Sequence, residues 1–292
     1  AGVRHGFTGV LHLARDARHE DTQRRTAAAQ PPPALFRFVE RAEAAELAQW
    51  PVETGGWWFP GGGWIDPPSL CRANLAGLDT RFGVDVARIA RGDGLWQLFD
   101  AQGKLVTEAP QVVIANGIGA RQLALQASIP IIRVGRGLVS HLPEAAVPPF
   151  SIVATRNGYV TPAVDGVHCA GATLTPDDLD PVPRRDDHVE NLLRLDAILP
   201  GYGKGLDPAQ LAGRVGFRPM SPDRLPMVGP LSASDGLWLI NGFGARGLVW
   251  ASLCAELLAS QVAADPLPVE TDLIQATGVS RFGDKRRSRG TM

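Results

Sequence analysis

Leu237-Trp238-Leu239-Ile240-Asn241-Gly242-Phe243-Gly244-Ala245-Arg246-Gly247-Leu248 is an apolar run that breaks into glycines and then opens a long helical pattern. The reading is a buried strand, a tight turn and a helix start. Glycines at 242, 244 and 247 let backbone approach a ligand closely, and the first N–H groups of the helix point outward with partial positive charge. Such a terminus attracts an anion or an electron-rich ring edge. The spacing also matches G-x-G-x-x-G, which normally heads a βαβ unit and is followed about 20 residues later by an acidic residue. Here Asp265-Pro266-Leu267-Pro268 follows the helix instead, and no second parallel strand is in view. Two accounts therefore stand: a glycine turn that packs a helix on a sheet, or a cofactor-facing helix start outside the usual first βαβ.

Working outward, a second junction of the same kind stands at Gln111-Val112-Val113-Ile114-Ala115 running into Asn116-Gly117-Ile118-Gly119. Upstream of it, Val84, Val86 and Ile89 alternate with polar residues, Asp93-Gly94 makes a hairpin turn, and Leu95 to Phe99 returns. Residues 131–175 predict successive strands with short turns and hence an antiparallel sheet. An amphipathic helix over 185–199 closes at Pro200-Gly201, and Leu211 to Met220 reads as a strand. Glu40 to Leu47 is a short alanine-rich helix, and Pro67-Pro68-Ser69 opens another. Between them, Gly55 to Pro67 mixes five glycines with three tryptophans, a combination that predicts neither helix nor ordinary strand. Its rings suit either a packed turn under a hydrophobic lid or a wall beside a planar ligand.

The chain has 292 residues, 45% of them hydrophobic, enough for two domains or one large interleaved one. A net charge of −1 supplies no overall field toward nucleic acid or anionic membrane, so such binding needs a local patch. Cys71, Cys169 and Cys254 lie far apart without a C-x-x-C pair, which argues against a disulfide framework or zinc site. His5, His12 and His19 are seven apart, but glycines spoil any helix carrying the first two, and no metal is expected. No apolar run reaches the roughly 18 residues of a membrane span, and no leader peptide is read, so the expected location is the cytoplasm.

The motifs then resemble a known family. Gly-Gly-Trp-Trp-Phe-Pro-Gly-Gly-Gly-Trp-Ile-Asp-Pro at 55–67, Val-Val-Ile-Ala-Asn-Gly at 112–117, Val-Ser-His-Leu-Pro at 139–143 and Gly-Tyr-Val-Thr-Pro at 158–162 occur in that family's order. So do Val-Gly-Phe-Arg-Pro-Met-Ser-Pro-Asp-Arg-Leu-Pro-Met-Val-Gly at 215–229 and Gly-Phe-Gly-Ala-Arg-Gly-Leu at 242–248. Together, over about residues 50–282, they look like the FAD-dependent oxidoreductase half of the bifunctional tRNA-modifying enzyme that makes methylaminomethyl wobble uridine. The 215–229 block alone points to the wider D-amino-acid oxidase and glycine oxidase superfamily. Relative to that family the chain is N-terminally truncated: the methyltransferase half and the first FAD-binding βαβ unit, an expected partner segment, are not found.

The resemblance implies an α/β, mixed α+β fold: a D-amino-acid-oxidase-like FAD-binding layer with an interleaved antiparallel-sheet substrate domain. Residues 1–30, 81–130 and 222–292 would form the FAD-binding layer, and 31–80 with 131–221 the substrate domain. The implied cofactor is FAD and the implied reaction is oxidation of the C–N bond of a carboxymethylaminomethyl group on tRNA uridine, releasing glyoxylate. Arg218 would grip the substrate carboxylate, with pairing to Asp223 as its structural alternative. Tyr159 would cover the substrate or serve as a core tyrosine, and Arg246 would sit near substrate or flavin. The cofactor would be lined by Gly62, Gly63 and Trp64 at the isoalloxazine, Val86 at the adenine side, and Ala115, Asn116 and Gly117 by backbone. Gly242, Phe243, Gly244, Ala245, Arg246, Gly247 and Leu248 would face the flavin's pyrimidine edge. His141 reads as structural, and no acid–base residue is assigned. The basic run Lys285, Arg286, Arg287 and Arg289 offers phosphate contacts to tRNA. Alternatives are a glycine- or D-amino-acid-type flavin oxidase on a free small amine, or a truncated non-catalytic fragment.

Overall fold

A computed structural model describes residues 2–29, 34–123, 129–231 and 236–282. The chain divides into two compact units, one of residues 1–78, 137–174 and 180–216, the other of residues 79–136, 175–179 and 217–292. The basic run at 285–289 lies outside the described residues.

The first unit is built on one large mixed sheet. From the portion of Arg133–Pro143 that belongs to this unit, the order passes through Val167–Gly171, Tyr159–Val160, Val153–Thr155, Val10–Leu13 and Gly56–Phe59 to Arg37–Val39. One face carries the apolar core: Leu11, Leu13, Leu142, Ala154, Val160 and Ala170 are buried there with Ala44 and Ala48 of the helix Arg41–Ala48. Leu195 and Ile198 of the helix Arg185–Ile198 join the same core. Because side chains alternate along strands, the intervening residues His12, Thr155, Tyr159, Cys169 and His141 occupy the opposite face.

Three expectations change here. The sheet is not purely antiparallel, since Val153–Thr155 runs parallel to Val10–Leu13. Gly56–Phe59 is a regular strand paired on both sides, because its glycine meets the backbone of His12 and Leu13 where a Cβ would not fit. Residues 1–30, expected with the FAD-binding layer, instead hydrogen-bond into this sheet through Val10–Leu13, and the charged segment after them forms the helix Ala17–Ala29. That helix packs on the outer strands, with Trp57 Nε1 donating to the Gln23 carbonyl at 2.8 Å and Gln23 Nε2 donating to the His12 carbonyl at 3.1 Å.

The second unit holds a three-stranded sheet in the order Met227–Pro230, Leu237–Asn241, Val112–Ile114. The last two strands are parallel, and the first is antiparallel to its neighbour. Alternation again fixes the packing. Leu237, Leu239, Met227 and Ile114 join one core with Ile89 and Trp96, while Trp238 and Ile240 face Leu257 and Leu258 of the helix Gly247–Ala263. An apolar layer on each side explains the near-continuous hydrophobic reading of 237–240. The antiparallel meander Arg88–Gly92, Leu95–Phe99 and Leu105–Ala109 turns at Asp93-Gly94, both with positive φ (49° and 79°), as the dipeptide predicts. Val84 and Val86 lie before its first strand rather than in it.

Among the described residues no helix is long and apolar enough to cross a membrane.

Candidate functional site

The two strand-to-glycine junctions of the sequence meet in the second unit. Leu239 sits opposite Ile114 in the parallel register, so both strands release the chain at the same end of the sheet. Carboxyl ends of adjacent parallel strands are where open α/β sheets receive ligands. Asn241, 3% exposed, ties the two turns together. Its Nδ2 donates to the Gly117 carbonyl at 2.9 Å, and its Oδ1 accepts from the Gly242 N–H at 2.7 Å. The sequence reading gave Asn241 no role. Its local signal is an amide side chain immediately before a glycine at a strand end, where such groups bond their own backbone.

Gly117, Gly242 and Gly244 all adopt positive φ (60°, 78° and 56°), the conformation that favours glycine. Gly247 does not: at φ −54° it is already helical and forms the first residue of Gly247–Ala263. No side-chain cap closes that helix, whose N-cap is Arg246, so its first N–H groups keep their outward charge. Around Gly117 nothing stands within 4 Å of where a Cβ would be. Open backbone at Gly117, an uncapped helix start and a shared strand end form a surface that fits the phosphates and ring edge of a dinucleotide cofactor. Ala245 and Arg246 are exposed, Phe243 is half-buried and Leu248 is 51% exposed. Val86 packs against the core cluster that holds Ile114.

Arg218 belongs to the same unit, near the end of the strand Ala212–Met220. Two residues on, Met220 forms a backbone bridge with Phe243, and its Cγ would lie 3.7 Å from a Cβ at Gly244. Strand alternation puts the half-buried Arg218 and Met220 side chains on one side of the strand. Asp223, the alternative partner of Arg218, is gripped by Arg281. Nε and Nη2 of Arg281 donate to the two carboxylate oxygens at 2.8 and 3.0 Å, and Nη1 donates to the carbonyls of Thr277 and Gly278 at 2.8 Å each. This fork, with the Leu225 N–H and the Ser221 hydroxyl, holds the Asp223 carboxyl down at about 2. The anchored loop abuts the glycine turn: a Cβ at Gly242 would be 3.4 Å from Ser221 Cβ. Arg281 was missed because no local pattern links it to a carboxylate 58 positions away.

Gly62, Gly63, Trp64 and Tyr159 lie in the first unit. There the glycines have a packing reason of their own. A Cβ on Gly63 would stand 1.8 Å from the Gly6 carbonyl oxygen, and one on Gly62 would stand 2.7 Å from Val10 Cγ2. Trp64 pairs with Gly6 across a two-stranded ribbon, its Nε1 2.6 Å from where a Gly6 Cβ would be. Tyr159 stands on the face opposite the apolar core, directly across from Gly171. His141 is half-buried beside Cys169 on that face, and burial with Arg214 nearby lowers its pKa. On the core side, Ser140 Oγ lies 2.8 Å from His188 Nδ1 and accepts from Asn191 Nδ2 at 3.0 Å. Ser140 is fully buried, so this trio locks a helix to the sheet rather than serving as a nucleophile.

Comparison with known proteins fits this geometry. The tRNA 5-methylaminomethyl-2-thiouridine biosynthesis bifunctional protein MnmC of Aromatoleum aromaticum is 51% identical, over 96% of this chain and 47% of its own length. That of an Azoarcus species is 48% identical, over 94% and 46%. The chain thus spans about half the length of the curated relatives it matches. Among solved structures, glycine oxidase from Geobacillus kaustophilus superposes with a TM-score of 0.74 at 21% identity, over 96% of this chain and 76% of that one. Iminodiacetate oxidase from Chelativorans gives 0.72 at 25%, over 95% and 78%. The family model described as DAO, FAD dependent oxidoreductase, matches residues 2–261, and the chain belongs to that family of flavin-dependent oxidoreductases.

Proposed function

We propose that this chain carries out the oxidative half of a tRNA wobble-uridine modification, removing the carboxymethyl group from carboxymethylaminomethyl-uridine in the cytoplasm. The observation that carries the reading is the joining of both glycine turns at one strand end, with the Arg218 strand bridged to the second of them. FAD, when bound, would supply the hydride acceptor for the carbon between the amine and the carboxylate. The residues then have separable tasks. Arg218 grips the substrate carboxylate through its planar fork and so aims that C–H bond. The uncapped helix start at Gly247 offers fixed positive charge where reduction places negative charge. Ala115, Asn116 and Gly117 would line the cofactor with backbone, Val86 would lie toward its adenine, and Arg246 would be a further contact at the turn. By the resemblance alone, Tyr159 would be a substrate contact, and Gly62, Gly63 and Trp64 would be contacts to the ring.

Loss of hydride and the amine proton leaves an imine, R–CH2–N=CH–COO⁻. Water adds across that bond to release R–CH2–NH2 and glyoxylate. The substrate named by the iminodiacetate oxidase carries the same N-carboxymethyl secondary amine, which supports the reaction class. The substrate named by the bifunctional relatives supports tRNA as its bearer. The basic residues Lys285, Arg286, Arg287 and Arg289 remain candidates for phosphate contact.

The test is glyoxylate release by the full-length, FAD-loaded protein. Modified tRNA should yield it in amounts matching the aminomethyl-uridine formed. Release from free glycine or sarcosine, and none from tRNA, would favour the small-amine oxidase.

A further inference from the structure

The functional reading leaves one step without a residue: water must lose a proton as it adds to the imine, and the departing amine must gain one. A side chain for that step needs a free proton-accepting atom at neutral pH, access to water and a place beside the substrate. On the large sheet of the first unit, on the side away from its apolar core, Tyr159, Gly171 and Val139 form one row across three strands. Thr161, Cys169 and His141 form the next. Gly171 contributes no side chain there, so a shallow floor lies between Tyr159 and His141. Strand spacing sets their Cα atoms about 12 Å apart, a span that admits a small substrate and one water.

Of the six histidines, the other five are engaged elsewhere. His168 and His188 are buried and bond Thr161 and Ser140 through Nδ1 at 2.9 and 2.8 Å. His5 Nδ1 lies 2.9 Å from the Val3 carbonyl, and His19 Nδ1 accepts from the Arg15 N–H at 3.2 Å. His12 is wedged edge-on against His19 and Trp57. His141 is half-buried, and neither ring nitrogen has a hydrogen-bond partner among the described residues. Three titratable or charged groups bear on it. Cys169 lies directly opposite, its thiol bonded to Thr161 and held above its ordinary value by burial, so it is the poorer proton acceptor. Arg214 reaches this side of the sheet, since a Cβ on the preceding Gly213 would point at His188 on the other. His188 interacts with His141 through the sheet. Burial, and then the charge of Arg214, keeps the imidazole of His141 below its ordinary value and hence neutral at pH 7.

We propose that His141 is the general base, and then the general acid, for hydrolysis of the imine. As the water oxygen bonds to the imine carbon, the C=N electron pair moves to nitrogen, which takes a solvent proton, and His141 takes the proton that water gives up. In the resulting R–CH2–NH–CH(OH)–COO⁻ the imidazolium returns that proton to nitrogen as the C–N bond breaks. The hydroxyl proton goes to solvent, and R–CH2–NH2 and OHC–COO⁻ leave. The inference rests on the functional reading above, with Tyr159 as a substrate contact, and assigns its last step.

The test mixes full-length FAD-loaded protein with modified tRNA without oxygen and follows flavin absorbance and glyoxylate in one time course. Quenching with sodium borodeuteride returns any remaining imine to the starting amine with one deuterium on the carboxymethyl carbon. In wild type, glyoxylate should keep pace with flavin reduction. In H141Q, reduction should stay within about 2-fold of wild type while glyoxylate release slows roughly 10-fold or more and deuterated substrate accumulates. C169S should behave as wild type. Wild-type release should also fall as pH drops through a value below the ordinary 6.5, because only the neutral imidazole accepts the proton, and this profile decides the matter even where H141Q folds poorly. Release in H141Q that keeps pace with reduction, the same loss in C169S, or a wild-type release independent of pH overturns the proposal and leaves the functional reading standing. A wild-type flavin that modified tRNA leaves oxidised overturns the functional reading, and this step with it.

Discussion

Asn241 donates a hydrogen bond to the carbonyl of Gly117 at 2.9 Å, joining two turns that are 124 positions apart in the chain. The bond brings together the glycine junctions after Val112–Ile114 and Leu237–Asn241. A dinucleotide surface made of backbone depends on such a tie.

Asn241→Ala is therefore expected to lower stability by about 1–3 kcal/mol, since it leaves the buried Gly242 N–H and the partly buried Gly117 carbonyl without their partner. FAD affinity should fall with it. Asn241→Asp keeps the acceptor for Gly242 but loses the donor to Gly117, and should lie between wild type and alanine. Thermal unfolding and flavin dissociation constants, measured on the three proteins, check the order.

The Arg281–Asp223 fork predicts an acid-sensitive component of stability. The Asp223 carboxyl is held at about 2, below its ordinary 3.8, chiefly by the Arg281 hydrogen bonds. A lowered carboxylate contributes stability that is complete above the unfolded value and fades as pH falls from about 5 toward 2. With the carboxylate 36% exposed, solvent screening cuts the contribution to on the order of 1 kcal/mol. Asp223→Asn should flatten the acid side of a stability–pH curve and leave neutral-pH kcat close to wild type. An unchanged acid limb would refute the assignment.

Gly63→Ala should destabilise the protein by more than about 2 kcal/mol, because its Cβ would enter the Gly6 carbonyl at 1.8 Å and backbone cannot step aside. Gly61, two residues earlier, has nothing within 4 Å of a Cβ. Gly61→Ala should change stability by no more than about 0.5 kcal/mol. The pair separates a packing need from a general glycine requirement in this loop, and calorimetry reads both.

Arg218→Ala should reduce kcat/KM on N-carboxymethyl amines by roughly 10²–10³-fold while leaving the flavin spectrum intact, the loss of a charged bidentate contact. Arg218→Lys should recover little, since an ammonium cannot reproduce the fork. Steady-state kinetics with both variants decides it. A normal kcat/KM for Arg218→Ala would move the carboxylate site elsewhere.

What the amino-acid sequence determined by itself was local and periodic. The apolar run at 237–240 made a buried strand, Asp93-Gly94 made a hairpin, and the glycines at 242 and 244 demanded backbone that only they adopt easily. The ordered motifs were enough for the family and its flavin. Tertiary structure alone decided which distant pieces meet. The strand at 10–13 joined the large sheet because its Leu11 and Leu13 complete that sheet's apolar core, and Gly56–Phe59 became a strand because its neighbours needed a residue without a Cβ at its start. Asp223 found Arg281 rather than Arg218, and Asn241 found Gly117, through contacts whose cost and gain depend on closing loops of many residues. Local sequence encodes dihedral preference and burial; it carries no record of which far-off donor arrives at a given acceptor once the core has packed.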